Sequence, residues 1–292
     1  MIRVDSVAFC VNHLMWGPML IAVDSLVRSN PAINRIYVLH DDVPEKLTRE
    51  LKRRYQLVKF FFRRLNLELF HDGRSLHGDY TTYGKFQLPD LVEDDDQHVL
   101  YLDADVIVQL DINNALERAV GGYPLYAVLK GKVERSLDRE LYTTKGLTSD
   151  HKLFNAGVLL FHCPSCREFR LLQRALTLTK QRGARLLSAD QPVFNLLFSE
   201  QRGRLPDNLN IEISPEIPQP LELVDGIFHF VGSPKPWDLL GSRVHRNFVH
   251  YERAVIGAGI EWSQVRGRVS PRLLARTVLL ARSYWKCMRA GI

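Results

Sequence analysis

The chain has 292 residues, of which 46% are hydrophobic and 25% charged, and its net charge is +6. This composition excludes a disordered or fibrous protein, and the lack of any run of 18 apolar residues argues against a membrane-spanning helix. Four cysteines are too few for a disulfide framework, so we expect free thiols and, without a secretory signal pattern, a cytoplasmic location.

Strand-like and helix-like segments alternate through the first third of the chain. The predicted elements are strand 7–11, helix 16–28, strand 35–39, helix 44–54, strand 58–62, helix 82–92 and a strand ending before Asp103. Later strands are predicted at 125–129, 157–161 and 227–231, and a polar stretch at 130–152 is expected to form a mobile lid. Such alternation is typical of a parallel α/β sheet with crossover helices.

A pair of aspartates at a strand end is the first candidate site. In VLYLDADVIV, four apolar residues lead directly into Asp103 and Asp105. Such a run is typical of a strand buried in a parallel sheet, and the carboxyl ends of these strands are where such sheets bind ligands. Carboxylates this close repel each other unless a cation or a shared proton relieves them, and their oxygens suit magnesium or manganese.

Several interpretations of this pair stay open from the residues alone. The carboxylates can be loop or capping groups, or they can hold a metal-bound nucleotide-sugar diphosphate. In an aspartyl phosphatase, Asp103 would attack phosphate and Asp105 would be the general acid, but the expected later Gly-Asp or Asp-Asp pair is absent. A binding protein that keeps the fold without catalysis is a further alternative.

The stretch FHFVGSPKPW carries a second set of candidates. A predicted strand delivers His229, and Gly232 and Lys235 follow in a turn that two prolines stiffen. Imidazole can complete a metal site that carboxylates begin, while glycine and lysine suit a phosphate. A hydrogen-bonded core histidine is the alternative for His229.

Two more segments place polar or small residues at element ends. In FNAGVLLF, small and polar residues lie at the mouth of a predicted strand, where a ligand can approach closely and an amide can hydrogen-bond to a hydroxyl. In SADQPVFN, polar residues lie at a predicted helix start, with a serine as the N-cap. The residues concerned are Asn155, Ala156, Gly157, Asp190 and Gln191.

Together these four segments resemble family 8 of the retaining glycosyltransferases, the group of glycogenin and the bacterial lipopolysaccharide galactosyl- and glucosyltransferases. The resemblance covers residues 1 to about 240 and implies a GT-A fold, an α/β, Rossmann-like nucleotide-sugar-binding domain with a mixed, mainly parallel sheet flanked by helices. It implies an enzyme that moves a hexose, galactose or glucose, from a UDP-sugar to a glycan or lipid-linked saccharide. The implied cofactor is Mn2+, with Mg2+ as the alternative.

The resemblance also implies roles for individual residues. Asp103, Asp105 and His229 would bind the metal ion, and Asp190 and Gln191 would be catalytic, contacting the sugar hydroxyls and lying beside the anomeric carbon. The implied contacts to donor sugar and nucleotide are Phe9, Cys10, Val11, Asn12, Lys85, Asp103, Ala104, Asn155, Ala156, Gly157, Gly232 and Lys235.

Two departures and the mechanism follow from the same resemblance. Lys85 stands where the family usually has an arginine, so the charge is kept but the bidentate geometry is lost. The acid that many members have near Lys130 is missing, which puts sugar contacts there in doubt. Because Gln191 is a poor nucleophile, the resemblance implies front-face transfer, in which the leaving diphosphate accepts the acceptor's proton.

The carboxyl-terminal segment differs in charge from the rest. Residues 266–292 hold seven basic and no acidic residues, against 32 basic and 33 acidic residues elsewhere. Apolar residues between them are typical of a basic amphipathic helix at an anionic membrane surface, with a helix packed on the domain as the alternative. We predict a catalytic domain over 1–260 and, over 261–292, a tail that places the protein on the inner face of the membrane. No module for nucleic acid accompanies the basic residues.

Overall fold

The computed structural model describes residues 2–75, 79–117, 119, 121–220, 222–266 and 277–289. The chain divides into two compact units. The first consists of Met1–His13, Ala32–Asp103 and Ile112–Asp207, and the second of Leu14–Pro31, Ala104–Asp111 and Asn208–Ile292. The division falls inside the Asp-X-Asp segment, directly after Asp103.

Within the described residues, ten strands form two sheets, one in each unit. In chain order they are β1 (Ser6–Val11), β2 (Arg35–His40), β3 (Lys59–Arg64), β4 (His98–Leu102), β5 (Val106–Gln109), β6 (Leu125–Lys132), β7 (Lys152–His162), β8 (Arg202–Arg204), β9 (Ile211–Glu212) and β10 (Gly226–His229). The sheet of the first unit has the order β3-β2-β1-β4-β7-β6-β8, and that of the second has β5-β10-β9.

The large sheet is mixed and mainly parallel, as predicted. β1 pairs in parallel with β2 and β4, β2 with β3, and β6 with β8. Only β7 is antiparallel to its neighbours β4 and β6. The carboxyl ends of β1 and β4 therefore lie at the same sheet edge as the amino-terminal half of β7, which brings three predicted segments together.

The first eight helices lie between strands in sequence, and the last four follow β10. They are α1 (Trp16–Ser29), α2 (Glu45–Arg54), α3 (Leu88–Leu91), α4 (Ile112–Leu116), α5 (Arg139–Thr144), α6 (Cys163–Glu168), α7 (Leu171–Arg182), α8 (Asp190–Leu197), α9 (Gly241–Val244), α10 (Phe248–Gly257), α11 (Trp262–Arg266) and α12 (Ala281–Arg289). The predicted α/β fold, a mainly parallel sheet flanked by helices, is confirmed. None of the helices within the described residues is long and apolar enough to cross a bilayer.

One predicted helix is interrupted. Instead of a continuous helix over 82–92, a 3₁₀-helix covers Thr81–Gln87 and α3 begins at Leu88. Pro89 lies in the first turn of α3, where its missing N–H costs no hydrogen bond, and it cannot continue the preceding helix. The 3₁₀ segment is the one that carries Lys85.

The polar stretch 130–152 contains regular secondary structure and a small buried cluster. β6 extends to Lys132, and α5 follows it, so that Tyr142 packs with Val133 and Leu153 in a small buried cluster of the first unit. The apolar residues of this cluster are separated by charged residues in the sequence, so they form no periodic pattern that would predict a buried element.

The carboxyl-terminal helix has two distinct faces. In the second unit, Tyr284 and Cys287 of α12 pack with Val244 and Leu280, and the Tyr284 hydroxyl donates to a main-chain carbonyl. On the other side Trp285 is 50% exposed. Residues 267–276 and 290–292 of the predicted tail lie outside the described residues.

Candidate active site

A buried lysine organises the predicted residues of the first unit. Lys85 is 2% exposed, and its Nζ lies 2.8 Å from Asp190 Oδ2 and 3.4 Å from Asp103 Oδ1. It also donates to the carbonyl of Ala156 at 2.9 Å and lies 4.9 Å from the centre of the Tyr101 ring. One cation thereby joins three of the predicted segments.

The charges of this cluster support one another. Burial alone lowers the pKa of Lys85, but Asp103 and Asp190 outweigh it, so that the pKa lies above the ordinary lysine value. Burial raises the pKa of Asp190 above its usual range, opposed by Lys85 and by a hydrogen bond from Thr82. Asp103 Oδ1 accepts a hydrogen bond from the Tyr101 hydroxyl at 2.5 Å.

The Asn-Ala-Gly segment lies inside β7 and not at its mouth. The register between β6 and β7 shifts between Ala127 and Leu129 of β6. Ala127 pairs with Leu159 and Leu129 pairs with Phe154, so the regular pairing of β7 with β6 is interrupted at residues 155–158. The shift turns the segment toward the end of β4, where Asp103 N–H donates to the carbonyl of Gly157 at 2.7 Å. A bulge next to a ligand site redirects side chains in this way.

Gln191 and Asn155 flank the same irregular segment. Gln191 Oε1 accepts from the main-chain N–H of Ala156 at 3.4 Å, and Asn155 Oδ1 accepts from that of Gly157 at 2.8 Å. In α8, four residues after Gln191, Asn195 Oδ1 accepts from Phe154 N–H and its Nδ2 donates to the Phe154 carbonyl. Asn195 was not predicted, although its spacing from Gln191 places both on one helix face.

The residues at the end of β1 divide into two kinds. Phe9 and Val11 are fully buried core residues, whereas Cys10 and Asn12 are partly exposed. Asn12 Nδ2 donates to Asp79, whose other oxygen accepts from the main-chain N–H of Thr81 at 2.6 Å. Asp79 was missed because it follows a Gly-rich loop without any periodic pattern.

In the second unit, Asp105 is the centre of a separate buried cluster. It directly precedes β5, whose antiparallel pairing with β10 sets Val106 opposite His229. Asp105 Oδ1 lies 3.2 Å from His229 Nε2, and Oδ2 lies 2.6 Å from Lys235 Nζ. Burial raises the pKa of Asp105, but Lys235 and His229 outweigh it and hold the pKa well below its usual range.

The orientation of His229 suits a metal ligand. Its Nδ1 lies 3.1 Å from the side-chain oxygen of Asn210, which holds the imidazole so that Nε2 faces Asp105 Oδ1. Asp105 Oδ1 itself is buried. An imidazole nitrogen and a carboxylate oxygen that face each other are a pair of ligands that a divalent cation can use.

Lys235 lies in a turn with fixed geometry. Gly232 has φ 74°, in the left-handed region that favours glycine. The main-chain N–H of Lys235 donates to Asp238 at 2.8 Å, and its ammonium also donates to the carbonyl of Phe230. The predicted phosphate-binding lysine is thus ion-paired with the predicted metal ligand Asp105.

Asp103, Asp105 and His229 form a group of three possible metal ligands. Asp103 is the last residue of the segment Ala32–Asp103 of the first unit. The buried Ala104 follows it in the chain and precedes Asp105. The donor set, two carboxylates and one imidazole, suits manganese or another borderline divalent ion. The sequence predicted these three residues.

The C-X-X-C pair has no reactive character. Cys163 and Cys166 are free and buried in the core of the first unit, and Cys166 Sγ donates to the carbonyl of Pro124. Burial raises the pKa of Cys163 to about 12 and also raises that of Cys166. Both thiols are therefore protonated, which fits a structural role.

Comparisons with known proteins identify the family of the chain. The profile described as glycosyl transferase family 8 matches residues 6–241. The chain is 24% identical to Glycosyltransferase GlyA of Streptococcus pneumoniae over 268 residues, 89% of this chain and 35% of that protein. It is 27% identical to the lipopolysaccharide 1,3-galactosyltransferase of Salmonella typhimurium over 173 residues, 56% of this chain and 51% of that protein.

Solved structures show the same fold. The galactosyltransferase LgtC, solved in complex with donor and acceptor sugar analogs, matches with a TM-score of 0.72 at 22% identity, over 93% of this chain and 99% of LgtC. GlyE of S. pneumoniae matches with a TM-score of 0.65 at 24% identity, over 89% of this chain and 62% of GlyE. In sequence, the chain spans 35% to 63% of the length of the pneumococcal relatives GlyA, GlyE and GlyF.

Proposed function

The chain belongs to glycosyl transferase family 8, and we propose that it is a retaining hexosyltransferase that uses a UDP-sugar, with galactose or glucose as the transferred hexose. The observation that carries the proposal is the donor set of Asp103, Asp105 and His229, two carboxylates and an imidazole, in which His229 Nε2 lies 3.2 Å from the buried Asp105 Oδ1. We propose residues 1–260 as the catalytic part of the chain.

We propose Asp103, Asp105 and His229 as ligands of Mn2+, with Mg2+ as a weaker alternative. When bound, such an ion supplies Lewis-acid stabilisation of the charge that develops on a departing diphosphate. Lys235, now paired with Asp105, carries the positive charge that would turn to the phosphates. Gly232 allows the main chain to approach them because it has no side chain.

The sugar side of the site is assigned to the first unit. Asp190 is held by Lys85 and Thr82, so its carboxylate is positioned to accept hydrogen bonds from sugar hydroxyls and is poorly suited to attack carbon. Gln191, held at the main chain of Ala156, is a neutral amide and a weak nucleophile. This pair supports front-face transfer with retention, in which the acceptor's proton passes to the leaving diphosphate oxygen.

The proposed acceptor is a glycan or a lipid-linked saccharide. The lipopolysaccharide galactosyltransferase among its relatives supports this class. The outer face of α12 supports a location at the inner surface of the membrane, because Trp285 and Met288 are half-exposed and Arg282, Lys286 and Arg289 carry positive charge. In the proposed arrangement residues 261–292 serve this attachment.

The test is UDP release from UDP-glucose, UDP-galactose, UDP-xylose, UDP-N-acetylglucosamine and UDP-glucuronic acid, with Mn2+ or with EDTA. We expect slow, metal-dependent hydrolysis of one donor, and loss of this activity by more than ~100-fold in Asp105→Asn. Asp111→Asn, the same change at an exposed site of the same unit, is the matched control. Wild-type turnover by a folded Asp105→Asn protein contradicts the assignment, and hydrolysis of phosphate monoesters without any UDP-sugar would favour a phosphatase.

A further inference from the structure

Asp138 is a buried carboxylate outside every predicted site segment. Its side chain is 2% exposed in the first unit. Oδ1 accepts from the main-chain N–H of Leu187 at 2.6 Å, and Oδ2 accepts from that of Ser188 at 3.2 Å. Both oxygens therefore hold the segment that leads directly into Asp190 and Gln191.

The held segment contains a residue in an unfavourable conformation. Ala189 has φ 52° and ψ −114°, values close to those of the first central residue of a type II′ turn, where glycine is preferred. The Gln191 N–H donates to the carbonyl of Ser188 at 3.2 Å and closes this turn. An alanine persists in such a conformation only where its surroundings enforce it, and such strain concentrates at functional sites.

Asp138 is itself fixed from the other side. Its main-chain N–H donates to Ser136 Oγ at 3.1 Å, and its carbonyl accepts from Tyr142 of α5 at 3.1 Å. Leu187, in contrast, is 45% exposed, so packing of its own side chain contributes little to holding the turn. The buried carboxylate is the group that transfers the rigidity of α5 to the start of α8.

We propose that Asp138 is a positioning residue for sugar transfer. By holding Leu187 and Ser188, it keeps Ala189 in the turn conformation and sets the directions of Asp190 and Gln191 at the first turn of α8. This inference rests on the proposed function, since Asp190 and Gln191 are the residues assigned to the donor sugar. It gives the polar stretch 130–152 a part in catalysis without any contact with substrate.

The central experiment compares Asp138→Asn with Asp96→Asn. Asp96 is a matched control, a buried carboxylate of the same unit that accepts from the hydroxyls of Ser6 and Tyr37. In Asp138→Asn an amide group replaces one carboxylate oxygen, so one of the two N–H groups loses its hydrogen bond to residue 138. We expect kcat to fall about 10- to 100-fold, as for a misplaced catalytic group, with donor KM changed less than about threefold. Asp96→Asn should lose stability and keep kcat.

A second substitution, which should restore kcat, tests whether Asp138 acts through the turn conformation of Ala189. Ala189→Gly removes the conformational penalty at this φ, so in the Asp138→Asn background it should restore kcat at least about threefold. Hydrogen exchange provides a readout independent of activity: the amides of Leu187 and Ser188 should be protected in the wild type and should exchange faster in Asp138→Asn.

Several results would overturn the proposal. They are a wild-type kcat in folded Asp138→Asn, an equal loss of kcat in Asp96→Asn, no rescue by Ala189→Gly, or unprotected amides at 187 and 188 in the wild type. Hydrogen exchange of the wild type does not require the variant, so it tests the proposal even where Asp138→Asn does not fold. A wild-type protein without any donor turnover would instead refute the proposed function, while the exchange measurement still decides whether Asp138 holds the turn.

Discussion

Each of the two units contains a lysine paired with a strand-end aspartate, yet the two pairs differ in burial and in charge balance. Lys85 is buried, whereas the side chain of Lys235 is 15% exposed. In the first unit Lys85 has two carboxylate neighbours, Asp190 and Asp103. In the second unit Lys235 has one, Asp105, which is shared with His229. Among the described residues, Lys85 is the cation paired with Asp190 and Asp103, whereas Asp105 has both an ammonium and an imidazole beside it.

This difference indicates two kinds of function. Removal of Lys85 would leave the buried Asp190 without its counter-charge and would take an ion pair from the partly exposed Asp103, so the ion pairs of Lys85 are part of the folded structure. If Lys235 is removed, Asp105 still has His229 beside it, and a bound cation can replace the positive charge of the Lys235 ammonium. We therefore expect the first lysine to be fixed during the catalytic cycle and the second to be exchanged for a metal ion and a phosphate.

The largest expected effect is on the fixed pair. Lys85→Met should lower the free energy of unfolding by ~3–5 kcal/mol, since it leaves Asp190 buried without its counter-charge. Urea unfolding measures this change. The double variant Lys85→Met with Asp190→Asn should regain part of the loss because the second change removes one stranded charge; a loss below ~1 kcal/mol in the single variant would show that the pair is not structural.

The next effect concerns the imidazole. Asn210→Ala removes the acceptor that orients His229, and such outer partners typically change metal affinity about 10- to 100-fold. Calorimetric titration with Mn2+ should show this weakening. Asn208→Ala, two residues earlier with a hydrogen bond to the Asp225 carbonyl, is the control and should bind Mn2+ as the wild type does. Equal affinities for both variants would argue against His229 as a ligand.

A smaller effect of opposite sign is expected at the exchangeable lysine. Lys235→Met removes the cation that competes with a metal ion for Asp105, so Mn2+ alone should bind about tenfold more tightly, or ~1.4 kcal/mol. Binding of UDP in the presence of Mn2+ should weaken in the same protein. Weaker binding of Mn2+ alone would mean that Lys235 supports the metal site and does not compete with it.

A further expected effect depends on pH. Burial, followed by the charge of Lys235, lowers the pKa of His245 from 6.5 to about 3. Unfolding in this range takes up a proton, so the stability that neutral His245 contributes is complete above pH 6.5 and is lost as pH falls toward 3. His245→Gln should reduce the pH dependence of the free energy of unfolding by at most ~1.4 kcal/mol per pH unit. The exposed His13→Gln is the control, and an equal change in both variants would contradict a neutral, buried His245.

Sequence pattern predicted most residues of the candidate site because they lie at strand ends. The apolar run of β4 identified Asp103 and Asp105, and β10 delivered His229, since buried strands leave a clear hydrophobic signal. The pairing of Lys235 with Asp105 could not be predicted, because it joins residues far apart in the chain. The same holds for Asp138, whose partners are main-chain N–H groups 49 and 50 residues away.

Local strain also escaped the sequence analysis. Ala189 has φ 52° although alanine normally avoids this region, so its residue type gave no warning of a turn. The register shift in β7 likewise depends on how Phe154 and Leu159 pair with β6. Both features lie beside proposed catalytic residues, where tertiary contacts override local preference.

The most direct test of the central claim is calorimetric titration of UDP into the wild type and into Asp105→Asn, each with Mn2+ and with EDTA. We predict that UDP binds the wild type with Mn2+ and that the affinity falls by more than ~100-fold with EDTA or in Asp105→Asn. UDP binding of equal strength in all four titrations would contradict a metal-dependent nucleotide-sugar site at Asp103, Asp105 and His229.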